Sequence, residues 1–145
     1  RITDLQCALG SNQLKKLKKF LIRRREIALE YDNAFREKIP EIVLPKCAKD
    51  INHGYHLYPV LVDFDNYKID KITFFKKMYR VGINLQVHYI PLHLQPFYVK
   101  NYDYRKGDFF IAEEFYKKEI SLPIYPELTN KELSFVIHSI SKYLI

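Results

Sequence analysis

The sequence predicts an α+β fold in which a long N-terminal helix leads into a small, three-stranded, mainly antiparallel sheet covered by helices. Three observations carry this. Across residues 13–38 the apolar positions Leu14, Leu17, Leu21, Ala28, Tyr31 and Phe35 step by threes and fours, which puts them on one stripe at about 100° per residue. Three short runs suited to strands follow, at residues 56–64, 83–87 and 120–122. Helix-entry signals at Asp70, Asp108 and Thr129 stand between and after these runs.

Taken in order, Thr3 and Gln6 form a T-x-x-Q capping box, so a helix starts at once. Gly10, Ser11 and Asn12 are expected to interrupt it, because glycine costs about 1 kcal/mol inside a helix and Ser and Asn compete for backbone bonds. Lys15, Lys16, Lys19 and Arg23 fall opposite the apolar stripe, whereas Arg24 lies within it and needs a carboxylate, a carbonyl or a route to solvent. Pro40 ends the helix, and a polar loop over residues 46–54 precedes the first strand, in which Pro59 demands an edge or a bulge. Asp70 caps a helix running to Arg80, with Ile72, Phe75, Met78 and Tyr79 expected on its buried side and Gly82 as its C-terminal stop. Asp108 is expected to cap a helix to Lys117. Thr129 and Glu132 form a second capping box before Leu133, Val136, Ile137, Ile140 and Leu144.

Hydrophobic residues make up 48% and charged residues 28% of the 145, which suits one globular domain with a real core. No apolar run approaches the roughly 18 residues of a membrane span. Cys7 and Cys47 have neither disulfide nor zinc spacing and are expected to be reduced, as in the cytoplasm. The net charge of +7 suits either an anionic partner or a solvated, lysine-rich surface. The abrupt opening at Arg1, with no Met, suggests a piece of something longer.

Chemistry concentrates in residues 82–98, GINLQVHYIPLHLQPFY, where His88, His93, Tyr89, Tyr98, Gln86 and Gln95 follow a short apolar strand. With seven prolines and four glycines in the chain, two of those prolines here mark irregular backbone. His53 and His56 stand three apart and His88 and His93 five apart, but without H-E-x-x-H or paired cysteines no metal site is expected. Neither a nucleophile elbow nor a phosphate-binding glycine loop can be read. Any reaction must be shared with other residues.

The ordered set RITDLQCALGSNQLKKL, RRREIALEYD, HLYPV, GINLQVHYIPLHLQPFY, GDFFIAEEFY and EISLPIYPELT resembles the C-terminal third of the DegT/DnrJ/EryC1/StrS family of pyridoxal-phosphate-dependent sugar aminotransferases. The HYIP, HLQP and SLP-x-YP-x-LT elements are most similar to the subgroup acting on UDP-linked 4-keto-6-deoxy aminosugars in pseudaminic acid synthesis. The resemblance implies the C-terminal domain of a fold-type I aminotransferase, working as a homodimer, with residues 1–40 as linking helices to a large cofactor-binding domain absent from these residues and residues 41–145 as the small C-terminal domain. It implies amino transfer from an amino acid, glutamate, to a 4-keto-6-deoxy nucleotide sugar for surface-polysaccharide or flagellin-glycan synthesis.

By that resemblance His88 and Tyr89 match the V-H-Y-x-P element lining the sugar-nucleotide site, and His93, Gln95 and Tyr98 match H-L-Q-P-Y-Y, with Phe97 replacing the first tyrosine. Arg1 matches the arginine of N-Y-R-I-T-D near the cofactor entrance, although the preceding asparagine is absent. Lys46, Lys49 and Lys68 do not match the Schiff-base lysine. The full-length relative therefore uses pyridoxal phosphate, and none is expected to bind this chain alone. No nucleic-acid or membrane partner is expected. The alternatives are a non-catalytic interaction module and a basic nucleic-acid-binding module using the face between Lys15 and Arg25, which would bind with steep salt dependence.

Overall fold

The computed structural model describes residues 1–145. Its first capping box forms as the sequence predicts: the Thr3 hydroxyl accepts from the Gln6 amide while the Gln6 side chain accepts from the Thr3 amide. The helix it starts, α1, runs as a single piece over Asp4–Lys38. The expected break at Gly10–Asn12 does not occur. A local cost of about 1 kcal/mol at Gly10 is outweighed by a firm cap behind it and a long run of helix-forming Leu, Lys and Arg ahead.

Only the second half of α1 enters the core, where Ile27, Ala28, Tyr31 and Phe35 are buried. Tyr31 stacks on Phe35 and also meets Tyr58 at a ring distance of 5.0 Å. Leu5, Leu9, Leu14 and Leu17, from the first half, are exposed.

The sheet has two regular antiparallel strands, β1 (Tyr58–Leu61) and β2 (Glu119–Leu122), in the register Tyr58 to Leu122 and Leu61 to Glu119. Side chains alternate across a sheet. Tyr58, Val60, Ile120 and Leu122 therefore share the core face, and Pro59, Leu61, Ser121 and Glu119 share the other.

The third expected strand, residues 83–87, contributes a single bridge from Gln86 to Ser121 instead of a ladder. Continuing it one way meets Pro123, which has no amide to donate. Continuing it the other way meets His88, whose amide turns to the Glu119 side chain. Val43 bridges Leu61 on the opposite edge. There the next pair in register would set Pro59 against Pro45, so neither side can donate and the pairing stops.

Four further helices complete the fold: α2 (Lys71–Arg80), α3 (Pro96–Tyr102), α4 (Phe110–Lys118) and α5 (Asn130–Leu144), with a 3-10 turn at Leu92–Leu94 before α3. The Asp70 carboxylate caps α2 through the Thr73 amide at 2.8 Å. At its far end Gly82, with φ +82°, donates to the Tyr79 carbonyl while Ile83 donates to that of Met78, the paired bonds of a Schellman stop.

The buried side of α2 is Phe74 and Met78; Ile72 and Tyr79 are exposed and Phe75 is half-buried. Apolar residues at both 74 and 75 make the helix phase ambiguous in sequence, and packing chose the former. Asp108 does not cap α4: its carboxylate accepts from the Arg105 amide instead, and the helix starts after Phe109 without a side-chain cap. Thr129 and Glu132 do form their box, and α5 buries Leu133, Val136, Ile137, Ile140 and Leu144 as spaced. No helix is long and apolar enough to cross a membrane.

Candidate functional site

Where the 86–88 segment leaves β2, a cleft of about 370 Å³ opens, lined among others by Arg24, Asn84, Gln86, His88, Tyr89 and Ser121. Strand alternation brings Ser121 to it. Glu119 and Ser121 lie on the sheet face turned away from the main core, and both are buried, Glu119 with no exposed surface at all. A carboxylate so placed must be met by donors. The His88 amide donates to its Oε2 at 3.0 Å and the Ser121 hydroxyl to its Oε1 at 2.6 Å. Ser121 Oγ in turn lies 2.8 Å from His88 Nδ1.

On the same side of the domain, burial holds the Lys71 ammonium below the usual lysine range, partly offset by the Glu119 charge. Lys71 donates to the Tyr116 carbonyl at 2.6 Å and sits over the Phe75 and Tyr116 rings.

Arg24 builds the opposite wall. Its Nη1 donates to the carbonyls of Tyr55, His56 and Ile124 at 2.9, 3.2 and 2.9 Å. The cation inside the apolar stripe thus finds carbonyls, one of the solutions open to it. Three loop carbonyls converge on one nitrogen, which joins α1 to the segments before β1 and after β2.

The expected site residues do not all share this cleft. His88 and Tyr89 line it, with rings edge to face at 4.7 Å, and the Tyr89 ring is exposed. His93 is only 6% exposed and is held at Nε2 by Glu113 Oε1 at 2.8 Å, with Phe109 packed on its ring at 4.7 Å. The Gly107 amide and His93 together keep the Glu113 carboxyl below the usual range. His93 therefore ties the Leu92–Leu94 turn to α4.

Gln95 is the residue before α3, with its amide group 3.5 Å from the Ile90 carbonyl. Tyr98 is half-buried and stacks on Tyr102 at 5.9 Å. Arg1 is exposed ahead of α1. The residues that sequence reasoning missed as a site are Glu119, Ser121 and the wall formed by Arg24. The signal available was alternation in E-I-S-L, which puts an acid and a serine on one side of a strand. No cluster of three metal-ligating side chains is present.

Fold and cleft define a small α+β domain with a polar, aromatic-rimmed wall and half of a long helix standing clear of the core. The chain belongs to the DegT/DnrJ/EryC1/StrS aminotransferase family, whose sequence profile matches residues 1–141. It is 39% identical over 140 residues to the spore coat polysaccharide biosynthesis protein SpsC of Bacillus subtilis. It is 40% identical over 138 residues to a UDP-4-amino-4,6-dideoxy-N-acetyl-beta-L-altrosamine transaminase of Campylobacter jejuni. Each match covers 94% of this chain and 35% of the relative, so the chain spans about a third of the length of these curated relatives. Among solved structures it is similar to Helicobacter pylori PseC, an aminotransferase involved in the biosynthesis of pseudoaminic acid, with a TM-score of 0.88 and 30% identity over 99% of this chain and 38% of that one. The family resemblance and the α+β fold class read from the sequence both hold.

Proposed function

We propose that these 145 residues are the substrate-facing small domain of a pyridoxal-phosphate-dependent aminotransferase. It moves an amino group from an amino acid, glutamate, to a 4-keto-6-deoxy nucleotide sugar in surface-polysaccharide or flagellin-glycan synthesis. The observation that carries this reading is a cleft offering imidazole, phenol and amide groups in a chain matched almost end to end by an aminotransferase family. Such groups donate to and accept from sugar hydroxyls, while ring faces pack the sugar. The names of the similar proteins, a spore coat polysaccharide protein and a UDP-aminosugar transaminase, support the substrate class.

The cleft's own residues do not fit pyridoxal phosphate. Its wall holds no lysine, and the Arg24 Nη1 that a phosphate would need already serves carbonyls. The cofactor, its lysine and its phosphate seat are assigned to chain outside these residues, with Arg1 near the cofactor entrance. The 145 residues alone are then inactive. On this reading the first 40 residues link the domain to a large cofactor-binding one in a cytoplasmic homodimer. The uncovered leucines of α1, Leu5, Leu9, Leu14 and Leu17, support a covering neighbour.

Within the site, His88 and Tyr89 contact the sugar nucleotide, whereas His93, Gln95 and Tyr98 brace the wall around them. Full-length protein carrying His88→Ala is expected to keep the cofactor's absorbance and lose roughly fivefold to tenfold in kcat/KM for the nucleotide sugar, the worth of one hydrogen bond. Unchanged kcat/KM removes His88 from the site.

A further inference from the structure

We propose that Glu119 and Ser121 are positioning residues that fix the ring tautomer of His88, leaving its Nε2 as a lone-pair acceptor at the cleft wall. The proposal rests on the preceding reading only for what that nitrogen meets; the proton arrangement follows from the geometry of this chain.

Ser121 Oγ lies within hydrogen-bond distance of two atoms, Glu119 Oε1 at 2.6 Å and His88 Nδ1 at 2.8 Å, and a hydroxyl has one proton to give. A carboxylate gives none, so the Ser121 proton lies toward Glu119 and Ser121 Oγ accepts from His88 Nδ1–H. A neutral imidazole carries one N–H. With that proton on Nδ1, Nε2 is bare.

Glu119 Oε2 is occupied as well, by the amide of His88 itself at 3.0 Å. One buried carboxylate therefore holds residue 88 twice, directly through its backbone and through Ser121 at its ring. Nε2 makes no hydrogen bond within the chain, and no buried side-chain nitrogen or oxygen lacks a partner, so Nε2 is open to solvent in a residue that lines the cleft. It is suited to a ligand that donates, a sugar hydroxyl or an amine N–H. His93 differs: there a carboxylate, Glu113, meets the ring directly at Nε2 with no hydroxyl between them.

Glu119→Gln makes the test sharp because its orientation is forced. The His88 amide needs an oxygen at the Oε2 position, so the new amide nitrogen must face Ser121 and donate to it. Ser121 then turns its proton to Nδ1, and the imidazole proton moves to Nε2.

Long-range proton–nitrogen-15 correlation spectra of this chain, taken at a pH where the ring is neutral, report the tautomer with no cofactor or sugar present. The expected result is Nδ1–H in the wild type, Nε2–H in Glu119→Gln, loss of the Nδ1–H preference in Ser121→Ala and its return in Ser121→Thr. Nε2–H in the wild type overturns the proposal, as does an unchanged tautomer in a folded Glu119→Gln. If the Gln variant fails to fold, the wild-type tautomer and the Ser121 pair decide the matter. Because nothing is bound, a failed tautomer prediction leaves the kinetic test of His88→Ala standing, and a failed kinetic test leaves the tautomer standing.

Discussion

Replacing Arg24 with methionine keeps most of the side chain's volume and removes every donor. Three backbone carbonyls, those of Tyr55, His56 and Ile124, then lose their shared partner. Nη1 carries two protons, so at most two of those bonds are complete at one time. A hydrogen bond from a charged group is worth about 1.5–3 kcal/mol, which puts two at about 3–6 kcal/mol. One contact is exposed and water can replace it, so the lower end, about 3 kcal/mol, is the expected loss.

With a urea slope of about 2 kcal/mol per M for a domain of this size, the unfolding midpoint should fall by roughly 1.5 M at unchanged slope. Arg25→Met is the control, because Arg25 makes one exposed bond, from Nε to the His53 carbonyl at 3.0 Å, and should cost less than about 1 kcal/mol. Equal midpoints for the two variants would refute the idea that Arg24 ties α1 to the segments before β1 and after β2.

Two further outcomes follow from single positions. Gly82→Ala places a Cβ at φ +82° with no atom within 4 Å to meet it, so the cost is backbone strain alone, about 1 kcal/mol by thermal or urea unfolding; an unchanged midpoint would mean that the Schellman stop relaxes freely. The Glu113 carboxyl is held below its usual range by the Gly107 amide and His93, so its contribution is full above the unfolded value near ~4.3 and is lost as pH falls through the folded one. The stability gap between wild type and Glu113→Gln, read from urea midpoints, should therefore be widest near neutrality and close in acid; a gap that is constant with pH would place the effect in packing instead.

What the sequence revealed was mostly local. The Thr3, Asp70 and Thr129 caps and the Gly82 stop each involve residues within four or five positions, and all four form as read. One failure is local too, since the Asp108 carboxylate turns back to the Arg105 amide instead of capping α4; the others involve competition with something distant or cooperative. Gly10–Asn12 stays helical because a flanking helix overrides a local weakness. The register of α2 could be read through Phe74 or Phe75, and only contact with the rest of the core selects Phe74. The irregular 82–98 stretch was legible as a candidate site, and His88 and Tyr89 do meet at one cleft. The division of labour within it was not legible, because the partner that turns His93 inward, Glu113, lies 20 residues away. Glu119 was passed over by starting the last strand at Ile120, one residue late for its alternation with Ser121 to show.

That one residue matters because β2 serves the core and the cleft through opposite faces. Ile120 and Leu122 are fixed by burial in the core, and alternation then leaves 119 and 121 no choice of side. A regular ladder would have joined His88 N–H to the Glu119 carbonyl and carried the 86–88 segment on along the strand. Because that amide goes to the Glu119 carboxylate instead, the segment parts from β2 after Gln86 while still anchored to it. The cleft opens at this departure. An aspartate at 119, one methylene shorter, could not serve the His88 amide and Ser121 hydroxyl from the same backbone position, so the length of the glutamate side chain sets how far the wall stands from the sheet.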